Sequence, residues 1–193
     1  MQRPSLVDIR QVNSKIKLDI VYATPNNFTN QSLYPFPFCV VHFHTASALN
    51  RVQLSLEKQG LGLKIFDGYR PLCVQQKMWD IVQDERFVSN PSKNRARHAR
   101  GTAVDVTLVD SQGNELEMPT GFDDFTEQAH SHSKSISAGA CQNRSLLQAA
   151  MKKEEFEPFA FEWWHFDLKG WQNEALYPVI NLSFADLACY AIK

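Results

Sequence analysis

Three short segments of this 193-residue chain gather side chains that do hydrolytic chemistry. His98 and Asp105 lie seven residues apart in HARGTAVD, Glu162 stands three residues before His165 in EWWH, and Asp67 and Arg70 share the turn DGYRP. Zinc in a hydrolytic site takes three protein ligands, commonly imidazole nitrogen and carboxylate oxygen, and keeps a fourth position for water. His98, Asp105 and His165 supply that set, and Gly101 lets the chain turn between the first two. The ion brings the pKa of water to about 7, yet a base must still take the proton and pass it on. Glu162 is the carboxylate suited to that task. Arg70 is the arginine suited to stabilise charge growing on a carbonyl oxygen, on a turn stiffened by Pro71 and with Asp67 to orient it. Each segment alone also fits a plain structural role: a core strand, a tight turn, a solvated basic stretch. Their joint occurrence is what points to a site. The pairs His42/His44 and His130/His132 have chelating spacing but no companion acid, and read as solvated or partly buried histidines.

Elements must position these residues. Leu18, Ile20 and Tyr22 alternate and predict a short strand running into YATPNNF. Thr45 is expected to cap a helix through Lys58, with Ala48, Leu49, Val52 and Leu56 on its apolar face and Gly60 as the stop. LGLKIF predicts a strand over 61–66, and Pro71 the first residue of a helix through LCVQQKMWDIV. AVDVTLVD over 103–110 has the β-branched, period-two character of a strand, ended by a turn at 111–114. Residues 119–142 are polar and predict a long surface loop, after which a helix resumes from a cap at Asn143. FEWWHFDL is aromatic and strand-like. On an ideal strand, positions three apart face opposite ways, so Glu162 and His165 share a pocket only if the strand is irregular at its start. Strands and helices mix without regular βαβ alternation, so the expected class is α+β: a small mixed or antiparallel sheet carrying the zinc site, flanked by helices.

Composition agrees with one soluble domain over 1–193: 44% hydrophobic, 21% charged. A formal charge of -1 recruits neither nucleic acid nor an anionic membrane. Four well-separated cysteines without a CxxC pair favour reduced thiols. The N-terminal stretch lacks an apolar run of signal-peptide length, which points to the cytoplasm, or to the periplasm if a signal has been removed.

The segments YATPNNFT (22–29), GLGLKIFDGYRP (60–71), HARGTAVD (98–105), GFDDFTE (121–127) and EWWH (162–165) resemble, in order and spacing, the D-alanyl-D-alanine dipeptidases of the VanX type. These belong to a superfamily of zinc peptidases that includes D,D-carboxypeptidases, murein endopeptidases and hedgehog-like domains. The resemblance covers nearly the whole chain. It implies one Zn2+ held by His98, Asp105 and His165, Glu162 as the base and Arg70 as the transition-state stabiliser. It further implies that Asp123 holds the substrate ammonium, with Asp124 as fallback, that Tyr22 lies near the substrate and that Asp67 supports Arg70. The implied partner is a small D,D-dipeptide; oligomeric state is undetermined. The family usually has Ser two residues before the first zinc histidine, to bind the substrate carboxylate, and this chain has Ala96, leaving Arg95, Arg97 or a backbone N–H to compensate. Two histidines, His42 and His44, also stand where arginine is expected. The alternatives are a D,D-carboxypeptidase or murein endopeptidase with the same metal centre, and a non-catalytic zinc-stabilised binding module.

Overall fold

The computed structural model describes residues 6–93 and 96–191, the side chains of 189–191 excepted, so Arg95 and the Cys189 side chain lie outside the described residues. The elements run β1 (Leu6–Asp8), α1 (Ile9–Val12), β2 (Lys17–Leu18), β3 (Val40–His42), α2 (Phe43–Glu57), β4 (Leu61–Asp67), α3 (Leu72–Val82), β5 (Ala103–Asp110), α4 (Ala138–Lys153), β6 (Phe156–Pro158), β7 (His165–Leu168) and α5 (Phe184–Ala191). Five strands form a sheet in the order β2-β4-β5-β7-β6, parallel only between β2 and β4, while β1 and β3 pair antiparallel beside it. The class is α+β, as expected.

Period-two alternation in β5 divides its residues between two faces. Val104, Val106 and Leu108 join the apolar core, where they meet Leu63 and Ile65 of β4 and Leu49, Val52 and Leu56 of α2. Both α2 and α4 pack on the sheet and on each other. Asp105 falls by parity on the opposite face. Among the described residues three cysteines are free: Cys39 is buried, Cys73 and Cys141 exposed. No helix among the described residues is long and apolar enough to cross a membrane.

Several boundaries differ from expectation. The strand expected over Leu18, Ile20 and Tyr22 is two residues long, and Val21–Ala23 is a 3-10 turn. Its alternation comes from burial of Ile20 and Tyr22 beneath a turn, not from a pleat. His42, not Thr45, caps α2; the Thr45 hydroxyl instead donates to the Gly101 carbonyl at 2.9 Å. Helix α2 ends at Glu57, with Lys58 as the C-cap, before Gly60 at φ +72°. Pro71 is the N-cap of α3 rather than its first residue. Helix α4 starts at Ala138, not after Asn143, because the Ser137 hydroxyl accepts from the Ala140 N–H at 3.0 Å. Of FEWWHFDL only His165–Leu168 is strand, and residues 162–164 form the irregular entry that the Glu162–His165 spacing requires.

Candidate active site

A row of acids and imidazole crosses three strands. Asp67 of β4 is the register partner of Asp105 of β5, and Asp105 is the partner of His165 of β7. Directly opposed residues share a face. An irregularity between Ile65 and Asp67 makes this row, since Ile65 still pairs with Val106 on the core side. His98 comes from the 3-10 turn His98–Arg100, which Gly101 closes at φ +68°. A Cβ on Gly101 would stand 2.7 Å from both the His42 backbone nitrogen and Leu6 Cδ2, so the chain turns here against β1 and β3 with no room for a side chain.

Ligand-type atoms of His98, Asp105 and His165 all lie within 4.8 Å of one another, and all three residues are buried. Their outward hydrogen bonds fit a cation. His98 Nδ1 is 2.7 Å from the Gly68 carbonyl, which can only accept, so that nitrogen carries the proton and Nε2 keeps its lone pair. Nε2 faces His165 Nδ1 at 3.3 Å and Asp105 Oδ2 at 3.6 Å. His165 in turn donates from Nε2 to Asp167 Oδ1 at 3.1 Å, directing Nδ1 toward Asp105 Oδ1 at 3.0 Å. Supporting groups of this kind fix tautomer and ring orientation in metal sites. Burial works against charge on His165, but Asp167 and Asp105 outweigh it and raise its pKa to about 10. Burial, with Arg70 nearby, lowers His98 to about 3. Two nitrogens and a carboxylate, two of them braced from behind, are a donor set suited to zinc.

Glu162 brings its Oε2 within 3.6 Å of His165 Nδ1. Burial pushes its carboxyl up to about 8, with the charges of Asp105 and Asp123 adding to the shift against His165. The irregular segment that carries it is tied down by backbone and hydroxyl contacts. Trp163 N–H donates to the Ala129 carbonyl at 2.8 Å, Ser131 N–H to the Ala160 carbonyl at 3.0 Å, and the Ser131 hydroxyl to the Glu162 carbonyl at 3.0 Å.

Arg70 is buried and held by Asp67, whose Oδ2 accepts from Nε and Nη2 at 2.8 Å each, and by Gln75 Oε1 at 3.1 Å. Asp67 also accepts from the Tyr34 hydroxyl at 2.8 Å and the Gly68 N–H at 2.9 Å. The guanidinium lies 5.2 Å from the Tyr22 ring centre and 3.5 Å from Asp105 Oδ2. Tyr22 donates its hydroxyl to Asp123, 3.0 Å from either carboxylate oxygen. Asp123 has the left-handed φ of +59°, a strained value that aims it into the cleft, and burial raises its carboxyl to about 7. Asp124 turns away and caps Thr126. One cavity is lined by Tyr22, Arg70, His98, Asp105, Asp123 and Glu162, with His165 beside them.

All eight residues singled out from the sequence thus converge, Asp67 from just behind the cavity wall. Asp167, Gln75, Tyr34 and Ser131 were not singled out. Asp167 carried a signal, a carboxylate two residues beyond a ligand-type histidine and on the same strand face; the others act through contacts distant in the chain. His42 is buried, and His44 Nδ1 meets the Tyr177 hydroxyl at 3.1 Å, both away from this cavity; His130 and His132 lie on a separate surface groove. His44, His130 and His132 are exposed or half-buried as expected, whereas His42 is fully buried as the N-cap of α2. Ala96 is buried and offers only a methyl group.

Comparison with known proteins adds a family. The family model described as D-ala-D-ala dipeptidase matches residues 2–185. The chain is 34% identical to the D-alanyl-D-alanine dipeptidase of Escherichia coli (strain K12), covering 93% of this chain and 91% of that one. It is 30% identical to the D-alanyl-D-alanine dipeptidase of Enterococcus faecium, covering 80% and 86%. Among solved structures a distant likeness is to the LdcB LD-carboxypeptidase, with 18% identity, 71% and 62% coverage and a TM-score of 0.45.

Proposed function

The chain belongs to the D-Ala-D-Ala dipeptidase family of peptidases, and on that footing we propose that residues 1–193 act as one zinc-dependent domain hydrolysing D-alanyl-D-alanine or a similar D,D-dipeptide to free D-amino acids. The observation that carries the proposal is the meeting of His98, Asp105 and His165 donor atoms beside Glu162 and Arg70. Those three residues would hold one Zn2+. When bound, the ion supplies Lewis-acid polarisation of the scissile carbonyl and eases ionisation of water at neutral pH.

The chain's own residues do the rest. Asp123, steadied by Tyr22, receives the substrate ammonium, fixing a free amine at a set distance from the scissile bond. A half-buried carboxylate facing that amine discriminates against an acylated one, because acylation removes the charge it was partly desolvated to meet. Arg70, immobilised by Asp67 and Gln75, faces negative charge as it grows on the carbonyl oxygen. Glu162, 3.6 Å from His165 Nδ1, accepts a proton from the attacking water and returns it to the departing amine.

The test is release of D-alanine from D-Ala-D-Ala, L-Ala-L-Ala and N-acetyl-D-Ala-D-Ala, each with and without a chelator. Chelator-sensitive turnover of the free D,D-dipeptide alone is expected. Preferential turnover of the acetylated substrate would move the reading to a carboxypeptidase or endopeptidase, and zinc binding without hydrolysis to a binding module.

A further inference from the structure

Glu162 hangs from a stretch of chain without regular structure. Residues 159–164 join β6 to β7, and the buried Glu162 sits among them with its carboxylate 3.6 Å from His165 Nδ1. Among the described residues no hydrogen bond reaches that carboxylate. A group that must take and return a proton gains from having no permanent partner. Its aim then depends on the backbone that carries it.

Three carbonyls of this connection converge on one residue. The Ser131 N–H donates to the Ala160 carbonyl at 3.0 Å, and the Ser131 hydroxyl reaches both the Phe159 carbonyl and the Glu162 carbonyl, the latter at 3.0 Å. A hydroxyl has a single proton to donate, so two carbonyls share it, and the sharing pinches 159–162 into a turn. The Trp163 N–H completes the match by donating to the Ala129 carbonyl at 2.8 Å. Segment 129–131 thus satisfies the polar backbone groups that a neighbouring strand would otherwise pair. Ser131 is itself held from α4. Gln148 Nε2 donates to the Ser131 carbonyl at 2.9 Å, and the buried Arg144, on the same helix face, donates from Nη1 to the Ser133 carbonyl at 2.8 Å. With Ser131 only 1% exposed, solvent is not at hand to replace its hydroxyl.

We infer that Ser131 is the positioning residue for the base: through the turn it pinches, it sets where the Glu162 carboxylate stands beside His165 and the cavity. This role rests on the dipeptidase reading and deepens it. The polar loop before α4, which brings Asp123 to the cavity, thereby also aims the group that moves the proton. Ser131 touches neither substrate nor metal ligand, so its effect on rate passes through Glu162, and its test must show that dependence.

The experiment is a double-substitution cycle on the zinc-loaded protein, following D-Ala-D-Ala turnover well below melting, with metal content and Tm measured for each variant. Ser131→Ala should keep its metal and lower kcat about 10–100-fold, with KM changed less than about threefold, as expected when a reacting group is displaced by about 1 Å. In the Glu162→Ala background the same substitution should change kcat less than about threefold, because the group it aims is gone. Leu56→Val, in the core beneath α2, should lower Tm without this loss of kcat. Unchanged kcat in Ser131→Ala overturns the proposal. An equal loss with and without Glu162, or a matching loss in Leu56→Val, overturns it too, because Ser131 would then act on the fold or the metal rather than on the base. If Ser131→Ala fails to fold, Gln148→Leu decides: a kcat loss of about 3–10-fold that vanishes in the Glu162→Ala background supports the proposal, and any other result overturns it. Absence of D-Ala-D-Ala turnover by the loaded wild type, or full activity in Glu162→Ala, refutes the functional reading itself, and the Ser131 assignment falls with it.

Discussion

Removing metal should make the stability of this protein fall steeply between pH 7 and pH 8. Three groups at the site hold protons in the folded chain that they release when it unfolds. Glu162 rises from 4.5 to about 8 and Asp123 from 3.8 to about 7, both chiefly through burial; His165 rises from 6.5 to about 10, because Asp167 and Asp105 outweigh its burial. Each folded-state pKa lies above its unfolded value, so each contributes stability that is present at low pH and lost as pH climbs through the folded value. His98, lowered to about 3 mainly by burial, acts in the opposite sense, but its contribution is nearly complete by pH 7. Near pH 7.5 the folded chain therefore binds about two more protons than the unfolded one, and each is worth about 1.4 kcal/mol per pH unit. The loss across one unit is about 2–3 kcal/mol, or about 5–10 °C in Tm for a chain of this size. Melting curves of chelator-treated protein at pH 7.0, 7.5 and 8.0, at matched ionic strength, measure it. Zinc competes with the His165 Nδ1 proton and offsets the crowded carboxylates, so the loaded protein should show a flatter profile. A chelated sample whose Tm holds level or rises over this interval would refute the reasoning.

Four further outcomes are expected. Glu162→Ala should retain zinc, by metal analysis, while kcat falls about 10²–10⁴-fold. Arg70→Ala should lower kcat by about 10²–10³-fold with a smaller change in KM, since its contribution belongs to the transition state; an effect confined to KM would reassign it to substrate binding. Asp167→Asn should speed release of zinc to a chelator about 10–100-fold, because the His165 Nε2–H loses its anionic acceptor. Gly101→Ala should destabilise the fold by about 2–4 kcal/mol, read as a lower Tm, from left-handed backbone strain and a methyl 2.7 Å from the His42 backbone nitrogen.

The parts of the fold that were legible in the sequence are those whose cause is local. Strand β5 matches its expected limits because Val104, Val106 and Leu108 alternate with Asp105 and Thr107, and β4 differs only by including Asp67. The irregular entry to β7 followed from parity alone. Local patterns misled where the burying partner is remote. Ile20 and Tyr22 alternate yet lie in and beside a 3-10 turn, and Tyr22 is covered by the remote rings of Tyr34 and Phe122. The start of α4 was hidden because Ser137 is one of several serines in SHSKSIS, and only the hydrogen bond to Ala140 distinguishes it. Strand β6 has three residues, one of them Pro158, too short to produce a pattern. For the site, residue types at fixed spacing exposed the three ligand-type residues, Glu162 and Arg70. The brace at Asp167, the tie at Ser131 and the acceptor at the Gly68 carbonyl depend on which chain segments meet, and no spacing records that.

The alignment of Asp67, Asp105 and His165 as successive rungs across three strands ties chemical competence to correct zippering. Were β5 to pair one position out of step, Val104 or Val106 would occupy the rung meant for Asp105, and aspartate would be driven into the oily layer under α2. Such a molecule forfeits its cation and its packing in the same event. Half-working conformers therefore have little room to exist: turnover per milligram becomes a head-count of properly assembled chains, and rescue of a destabilised variant should restore rate and cooperative melting together.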